Sequence, residues 1–399
     1  MKVLSIIHYP VAGGPHNRVG IVSSLLQRHG IDTLVVLPAE ADEAARRIRD
    51  RGVDVHQMPL HRLRTPRLVG RNAAWAASMP SEIRALARLI REREIDVVAV
   101  NALANPHAGI AARLAGAACV WELIDTFPPP AMRRAYMPMV LRLSDAILTT
   151  GVRVAELHPG TTDLGDRWLT FFPCVDVERF KPDPESRARA RAELGLPSDV
   201  PVVGNVATIS PMKGHATFIR AAARLRETNP DVRFVILGSR HADRDDYYDE
   251  LWSLAGDLGL ELGRDLIVQD PGPRVAELAP AFDLFWMTSE PNSEGIPTAI
   301  GEAKALGLPV VTTDVGSTSE CVTEGVSGYV VPPNDPEAIA VATARILGDP
   351  VLATSMSEQA RKESIAQFAA DRGAQQHRRA YEVALEHHLS KRTSSSRRT

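Results

Sequence analysis

An α/β protein made of two doubly wound, parallel-sheet units in tandem is the fold this sequence predicts. Three observations carry the prediction. The chain has 399 residues, and a single hydrophobic core rarely grows past about 250–300 residues. Short β-branched runs alternate with amphipathic helical stretches along the whole length, as they do when helices cross over between parallel strands. The alternation stops in a proline-rich stretch after Phe180 and then begins again.

Taken in order, the first series of strands is expected at Val3–His8, Asp32–Leu37, Val53–Gln57, Asp96–Asn101, Cys119–Asp125 and Ala146–Thr150. Most are continuously apolar, which suits a sheet covered on both faces. Between them, Ser81–Glu94 reads as a helix, with Ile83, Leu86, Leu89 and Ile90 on one face and Ser81 as its cap. Lys181–Asp199, with Pro182, Pro184 and Pro197, marks a boundary. The second series is expected at Val202–Ala207, Arg233–Leu237, Leu266–Gln269, Leu284–Thr288, Val310–Thr313 and Tyr329–Val331. The expected organisation is a Rossmann-like domain over 1–180, a second over 181–375, a helix over 376–389 returning to the first domain, and a basic, Ser/Thr-rich disordered tail over 390–399. Two such domains are expected to face each other across a cleft at the C-terminal edges of their sheets, where open α/β sheets bind ligands.

Composition narrows the class. The chain is 44% hydrophobic and 24% charged, with a net charge of −3. That excludes bulk disorder and offers no basic surplus for nucleic acid. Cys119, Cys174 and Cys321 are odd in number and far apart, so neither a disulfide framework nor a cysteine zinc site is expected, and a reducing cytoplasm is the expected compartment. No window holds about 18 consecutive apolar residues, so no spanning helix is expected. The histidines show no metal-ligand spacing, and no metal or other cofactor is expected. Asp243–Asp246 is acidic but reads as the start of a helix through Trp252. Only six lysines stand against 40 arginines, which makes a lysine beside a glycine turn informative.

The densest chemistry follows the strand Leu284–Thr288, in Ser289–Ala303. Gly295 allows close backbone approach to a ligand. Pro297 suits the first turn of a helix. The free amides of Gly295, Ile296 and Thr298 would then form an anion site with the helix dipole. Glu302, one turn on, can accept two hydrogen bonds from a vicinal diol such as a ribose. Glu294, before the turn, would face the group attached to the phosphate. Both glutamates alternatively read as exposed helix-flanking charges. After the strand Val202–Ala207, Lys213 precedes Gly214, and an ammonium there can neutralise a diphosphate leaving group. Gly13 and Gly14 follow the first strand; their amides reach either a donor phosphate or an acceptor, or simply form a tight turn. The glycines at 13, 14 and 20 do not make a G-x-G-x-x-G dinucleotide fingerprint, which weighs against an NAD-dependent oxidoreductase.

Glu294 and Glu302 form the E-x7-E pattern of the family 4 retaining glycosyltransferases, which have the GT-B fold. Ala303–Glu320, Glu324–Pro333 and the interdomain Phe172–Phe180 also resemble that family. The resemblance implies retaining transfer of a sugar from a UDP- or GDP-sugar to an acceptor hydroxyl on a glycan, a lipid or a small molecule. It implies Glu294 and Lys213 as catalytic residues and Gly295 to Thr298, Glu302, Thr208, Gln269, Gly13 and Gly14 as donor contacts. Thr208 stands where relatives carry an arginine that assists the lysine, and Arg240 is a candidate substitute. Ile124 stands where many relatives carry a histidine. Asn101, His107 and Asp125 are candidate acceptor contacts. Basic–apolar stretches at 61–71 and around Arg133, Arg134, Met137 and Arg142 suggest peripheral contact with a membrane holding a lipid-linked acceptor. A 2-epimerase or inverting transferase on the same fold, and a non-catalytic nucleotide-sugar-binding module, remain as alternatives.

Overall fold

The structure is a computed structural model that describes residues 1–63, 69–124, 126–240 and 245–396. It divides into two compact units, Met1–Cys174 with Ala370–Thr399 and Val175–Ala369. In the first, seven strands run β1 Lys2–Ile6, β2 Asp32–Pro38, β3 Asp54–Met58, β4 Val97–Asn101, β5 Ala118–Leu123, β6 Ala146–Thr150 and β7 Trp168–Phe171. In the second, six strands run β8 Val202–Val206, β9 Arg233–Leu237, β10 Leu266–Gln269, β11 Leu284–Met287, β12 Val310–Thr313 and β13 Gly328–Val331. The spatial orders are β3-β2-β1-β4-β5-β6-β7 and β10-β9-β8-β11-β12-β13, and the pairs are parallel. Both are doubly wound sheets whose order reverses after the first strand.

All twelve expected strands are present. The additional one, β7, is a four-residue edge strand whose first three residues are only half-buried, so it lacks the apolar run that marks the others. The helix expected from Ser81 starts much earlier and covers Val69–Glu92 with Pro80 inside it. Ser81 is therefore no cap, and its hydroxyl donates to the Ser78 carbonyl at 2.7 Å. Leu86, Leu89 and Ile90 are buried against the first sheet as expected. In the second unit, Phe218, Phe234 and Trp286 pack ring on ring, and the Trp286 indole donates to the Thr343 hydroxyl at 2.8 Å.

The units part at residue 174 rather than 180. Val175 already donates its amide to the Phe368 carbonyl at 2.8 Å, and Arg361 donates to the carbonyls of Val177 and Phe180. The first unit resumes at Ala370, where a single helix, Ala370–Ser396, begins. Ala374, Ala380, Tyr381 and Ala384 join the core beneath β5, β6 and β7. Buried Arg18 binds this helix to the sheet, reaching Asn101 at 2.6 Å, Glu122 at 2.6 Å and the His377 ring at 2.7 Å. At the opposite sheet edge, fully buried Asp145 faces His387, His388 and Lys391. These anchors carry the helix beyond residue 390, so the disordered tail expected from there is corrected to helix through Ser396, with 397–399 outside the described residues.

Of the patch expected around residue 133, Arg134 and Arg142 stay exposed. Arg133 and Met137 are buried, and Met139 and Leu141 turn toward the core, because the apolar face of the helix Pro130–Leu143 covers the first sheet. In the other stretch, residues 64–68 lie outside the described residues, and Arg62 is laid over the Tyr9 ring. Among the described residues, no single helix is long and apolar enough to cross a membrane.

Candidate active site

In the second unit the strand order reverses between β8 and β11. Helices leave the sheet on opposite faces there, and a crevice opens beyond the C-terminal ends of the two strands. The strands pair at only two positions, Leu284 with Val203 and Phe285 with Gly204. Both motifs singled out in the sequence lie in the segments that follow them.

After β8 the chain is tied to the neighbouring loop. Ala207 donates its amide to Leu237 at 3.1 Å and Ile209 donates to Ser239 at 3.2 Å. A 3-10 turn, Pro211–Lys213, then leads through Gly214 into the helix His215–Thr228. Gly214 has φ of +64°, and a Cβ there would lie 1.8 Å from the Thr288 carbonyl oxygen. The contact continues on both sides. The Thr288 hydroxyl donates to the Lys213 carbonyl at 3.1 Å, and the Glu290 amide donates to Met212 at 2.9 Å. Position 214 therefore accepts only glycine, for conformational and steric reasons together. Gly214→Ala is expected to lower stability by about 2 kcal/mol or more and to weaken nucleotide binding, read by thermal unfolding and calorimetric titration of the same sample.

This lacing brings Lys213 and Glu294 together across 81 residues of sequence. The ammonium donates to Glu294 Oε1 in a short ion pair, and the Ser289 hydroxyl donates to the same oxygen at 2.7 Å. Glu294 is 7% exposed. Thr313, at the end of β12, holds the Ser289 carbonyl at 2.7 Å. Gly316, with φ of +53°, lets its loop pass so close that a Cβ would lie 2.0 Å from the Glu294 carbonyl oxygen. Sequence reasoning assigned no role to Ser289; its signal was its place directly after the strand within the motif.

The next helix is Thr298–Ala305. Pro297 is its N-cap, with φ −72° and ψ 131°, rather than a residue of its first turn. The extended ψ suits a residue just outside the helix. Among the described residues, no acceptor takes the amide hydrogens of Gly295, Ile296 or Thr298, which leaves open donors beside a helix N-terminus. Glu302, one turn on, is half-buried. Desolvation pushes its carboxyl up to about 7, partly offset by the Arg179 guanidinium. Arg179, which the sequence did not single out, also donates to the Pro273 carbonyl at 3.2 Å.

The remaining donor candidates are placed less directly. Thr208 is exposed just beyond β8. Arg240, the candidate for the missing cation, follows Ser239 in the adjacent loop, and its guanidinium lies 4.5 Å from the Tyr248 ring centroid. Gln269, at the end of β10, is committed: its carbonyl accepts the Gly238 amide at 2.9 Å and its side chain reaches Glu193. In the first unit, Gly13 and Gly14 open the helix Gly14–Gln27 without positive φ, and a Cβ on Gly14 would meet nothing within 4 Å. Nothing inside the fold demands glycine there.

Asn101 is corrected as an acceptor contact. It is buried, with its side chain bonded to Arg18 and Ser5, because it completes the network that anchors the last helix. His107 is fully buried. Asp125 lies outside the described residues, as do Asp243 and Arg244. Among the described residues there is no group of three or more His, Cys, Asp or Glu arranged to hold a metal ion.

With the geometry established, comparison with known proteins is informative. Residues 186–363 match the family model described as Glycosyl transferases group 1, and residues 13–162 match that of the Glycosyl transferase 4-like domain. Among curated proteins, the chain is 31% identical over 235 residues to a D-inositol 3-phosphate glycosyltransferase of Corynebacterium urealyticum, covering 58% of this chain and 55% of that protein. It is 36% identical over 193 residues to a GDP-mannose-dependent alpha-(1-6)-phosphatidylinositol monomannoside mannosyltransferase of Mycolicibacterium smegmatis, covering 46% and 48%. The chain thus spans about half the length of the curated relatives it matches. Among solved structures, a glycosyltransferase from Rickettsia africae aligns with a TM-score of 0.81 at 18% identity, over 96% of this chain and 98% of that one. Anabaena HepE in complex with UDP-glucose aligns with a TM-score of 0.78 at 20% identity, over 98% and 100%. Likeness at these identities shows the fold.

Proposed function

The chain belongs to the group 1 glycosyltransferases and has their GT-B fold, and from that premise we propose that it moves a sugar from a nucleoside-diphosphate sugar to an acceptor hydroxyl with retention at the anomeric carbon. The observation that carries the reading is the convergence of Lys213, Glu294 and the open amides of Gly295, Ile296 and Thr298 beyond β8 and β11. These groups supply positive charge for two linked phosphates and a carboxylate for what is attached to them.

In this reading Lys213 and the helix amides stabilise the departing diphosphate, the largest single electrostatic demand of the reaction. Glu302 accepts the two ribose hydroxyls. Glu294 accepts the hydroxyls of the transferred sugar and orients it. The departing diphosphate takes the acceptor proton on the same face. Its charge is met by Lys213 and backbone donors, so transfer is expected to persist in EDTA. UDP and GDP are both candidates, since HepE is solved with UDP-glucose and the mycobacterial relative is named for GDP-mannose. The acceptor is a polyol hydroxyl, free, glycan-borne or lipid-linked. Three free, buried thiols support a reducing cytoplasm as the compartment.

The test is to incubate the chain with UDP- and GDP-sugars and polyol acceptors, follow nucleoside diphosphate release, and read the product anomer by NMR. Transfer with retention supports the reading. Inversion, epimerised sugar nucleotide, or binding without release would each replace it.

A further inference from the structure

Glu302 needs a counter-charge that its own motif does not contain. A diol donates two hydrogen bonds, and an ionised carboxylate accepts both, whereas the acid form turns one oxygen into a donor. Burial opposes ionisation and holds the carboxyl at about 7; among the described residues, the charged group that counters it is Arg179. The other charges around the helix Thr298–Ala305 are engaged elsewhere. Lys304 donates to Glu363 at 2.6 Å, and Lys213 is paired with Glu294. In the loop after β10, Arg274 is held by Glu193 and Glu277, and Asp270 accepts the Gly272 amide at 2.9 Å.

Two anchors fix Arg179 in place. Its guanidinium donates to the Pro273 carbonyl at 3.2 Å, and its amide donates to Asp176 at 3.0 Å. The second anchor is Arg361, on the helix Pro350–Phe368. Arg361 Nη1 lies 2.8 Å from the carbonyl oxygens of both Val177 and Phe180, which flank Arg179 in the chain. The same nitrogen lies 2.7 Å from the carbonyl oxygen of Ala305, the last residue of the helix that carries Glu302. One guanidinium thus sets the spacing between the segment of Arg179 and the helix of Glu302. We propose that Arg179 is a positioning residue of the nucleotide site: from its anchor on Pro273 it supplies the positive charge against which the Glu302 carboxylate receives the ribose hydroxyls. It acts through Glu302 and needs no contact with the nucleotide. The proposal rests on the transferase reading, in which Glu302 accepts the ribose. Arg179 is exposed, so replacing it opens no cavity in the core.

The test is calorimetric titration of the full chain with UDP and GDP at pH 6.5 and pH 9, comparing Arg179→Gln and Arg179→Lys with the unmodified chain. The nucleotide's own titration cancels in the ratio of variant to unmodified affinity. Apparent affinity scales with the fraction of chains in the competent state, so Arg179→Gln is expected to bind about threefold or more weakly at pH 6.5 and within about 1.5-fold at pH 9. Arg179→Lys restores most of the difference. Thermal unfolding reads the pairing without nucleotide. Arg179→Gln lowers the melting temperature more at pH 8 than at pH 4, where Glu302 is protonated in folded and unfolded chains alike. That extra loss disappears when both chains also carry Glu302→Gln. An affinity ratio that is the same at both pH values, or an extra loss that survives in the Glu302→Gln background, would overturn the proposal. If neither nucleotide binds while the melting temperatures behave as expected, the transferase reading fails and the pairing stands. If nucleotide binds with the same ratio at both pH values, the pairing fails and that reading stands.

Discussion

Lys213→Ala lowers turnover by about 10²–10³-fold, the loss expected when one preorganised charge on a leaving group is removed, with the second unit still folded. Nucleoside diphosphate release and thermal unfolding measured together check this, and a wild-type rate would reject the assignment. The ion pair makes a sharper forecast for its partner. In the structure the Lys213 ammonium is already held by Glu294, which also takes the Ser289 hydroxyl. A diphosphate must compete with that carboxylate for the ammonium. Glu294→Gln removes the competitor, so nucleoside diphosphate binds this variant at least as tightly as the unmodified chain, while sugar transfer falls by a similar 10²–10³-fold, because the charge and one of the two acceptor oxygens for the sugar hydroxyls are lost. Weaker diphosphate binding by Glu294→Gln would show that the pair does not act as a latch opened by the donor.

Glu302→Gln is expected to separate stability from function. The carboxyl has a folded value of about 7 against an ordinary 4.5, mainly through desolvation. Below pH 4.5 it is protonated in both folded and unfolded chains and has no effect. Between these values the unfolded chain ionises and the folded one does not, so stability falls by up to about 1.4 kcal/mol per pH unit. Above pH 7 the whole penalty, at most about 3 kcal/mol, persists. Glu302→Gln abolishes that titration. Its melting temperature rises relative to the unmodified chain at pH 8 and matches it at pH 4. The same variant loses a charged acceptor for the ribose, and nucleotide affinity drops by about tenfold or more, since hydrogen bonds to charged groups contribute roughly 1.5–3 kcal/mol. Thermal unfolding at both pH values and calorimetric titration at pH 8 provide the check. An unchanged melting temperature at pH 8 would mean that the carboxyl is well solvated in the folded chain.

Such a trade marks a group kept for binding rather than for the fold. The Arg18 network differs: its charges are paired within the fold, and it anchors the last helix to the first sheet.

What the sequence by itself determined is the order of its elements and the two segments that hold the candidate donor-binding residues. Twelve strands were legible because buried parallel strands must be continuously apolar, and the β8 and β11 segments because glycine, proline, lysine and glutamate there have few other uses together. Only the tertiary structure decided which of these residues meet. The Lys213–Glu294 pair spans 81 residues and depends on a sheet order that places the first strand beside the fourth. Burial, which no local pattern reports for a single polar residue, decided the rest. It withdrew Asn101 into a structural network, committed Gln269 to its neighbours, raised the Glu302 carboxyl and left both ring nitrogens of His107 without a partner among the described residues. A residue's neighbours in sequence set its backbone; its charge state and its free hydrogen bonds are set by groups that only folding brings near.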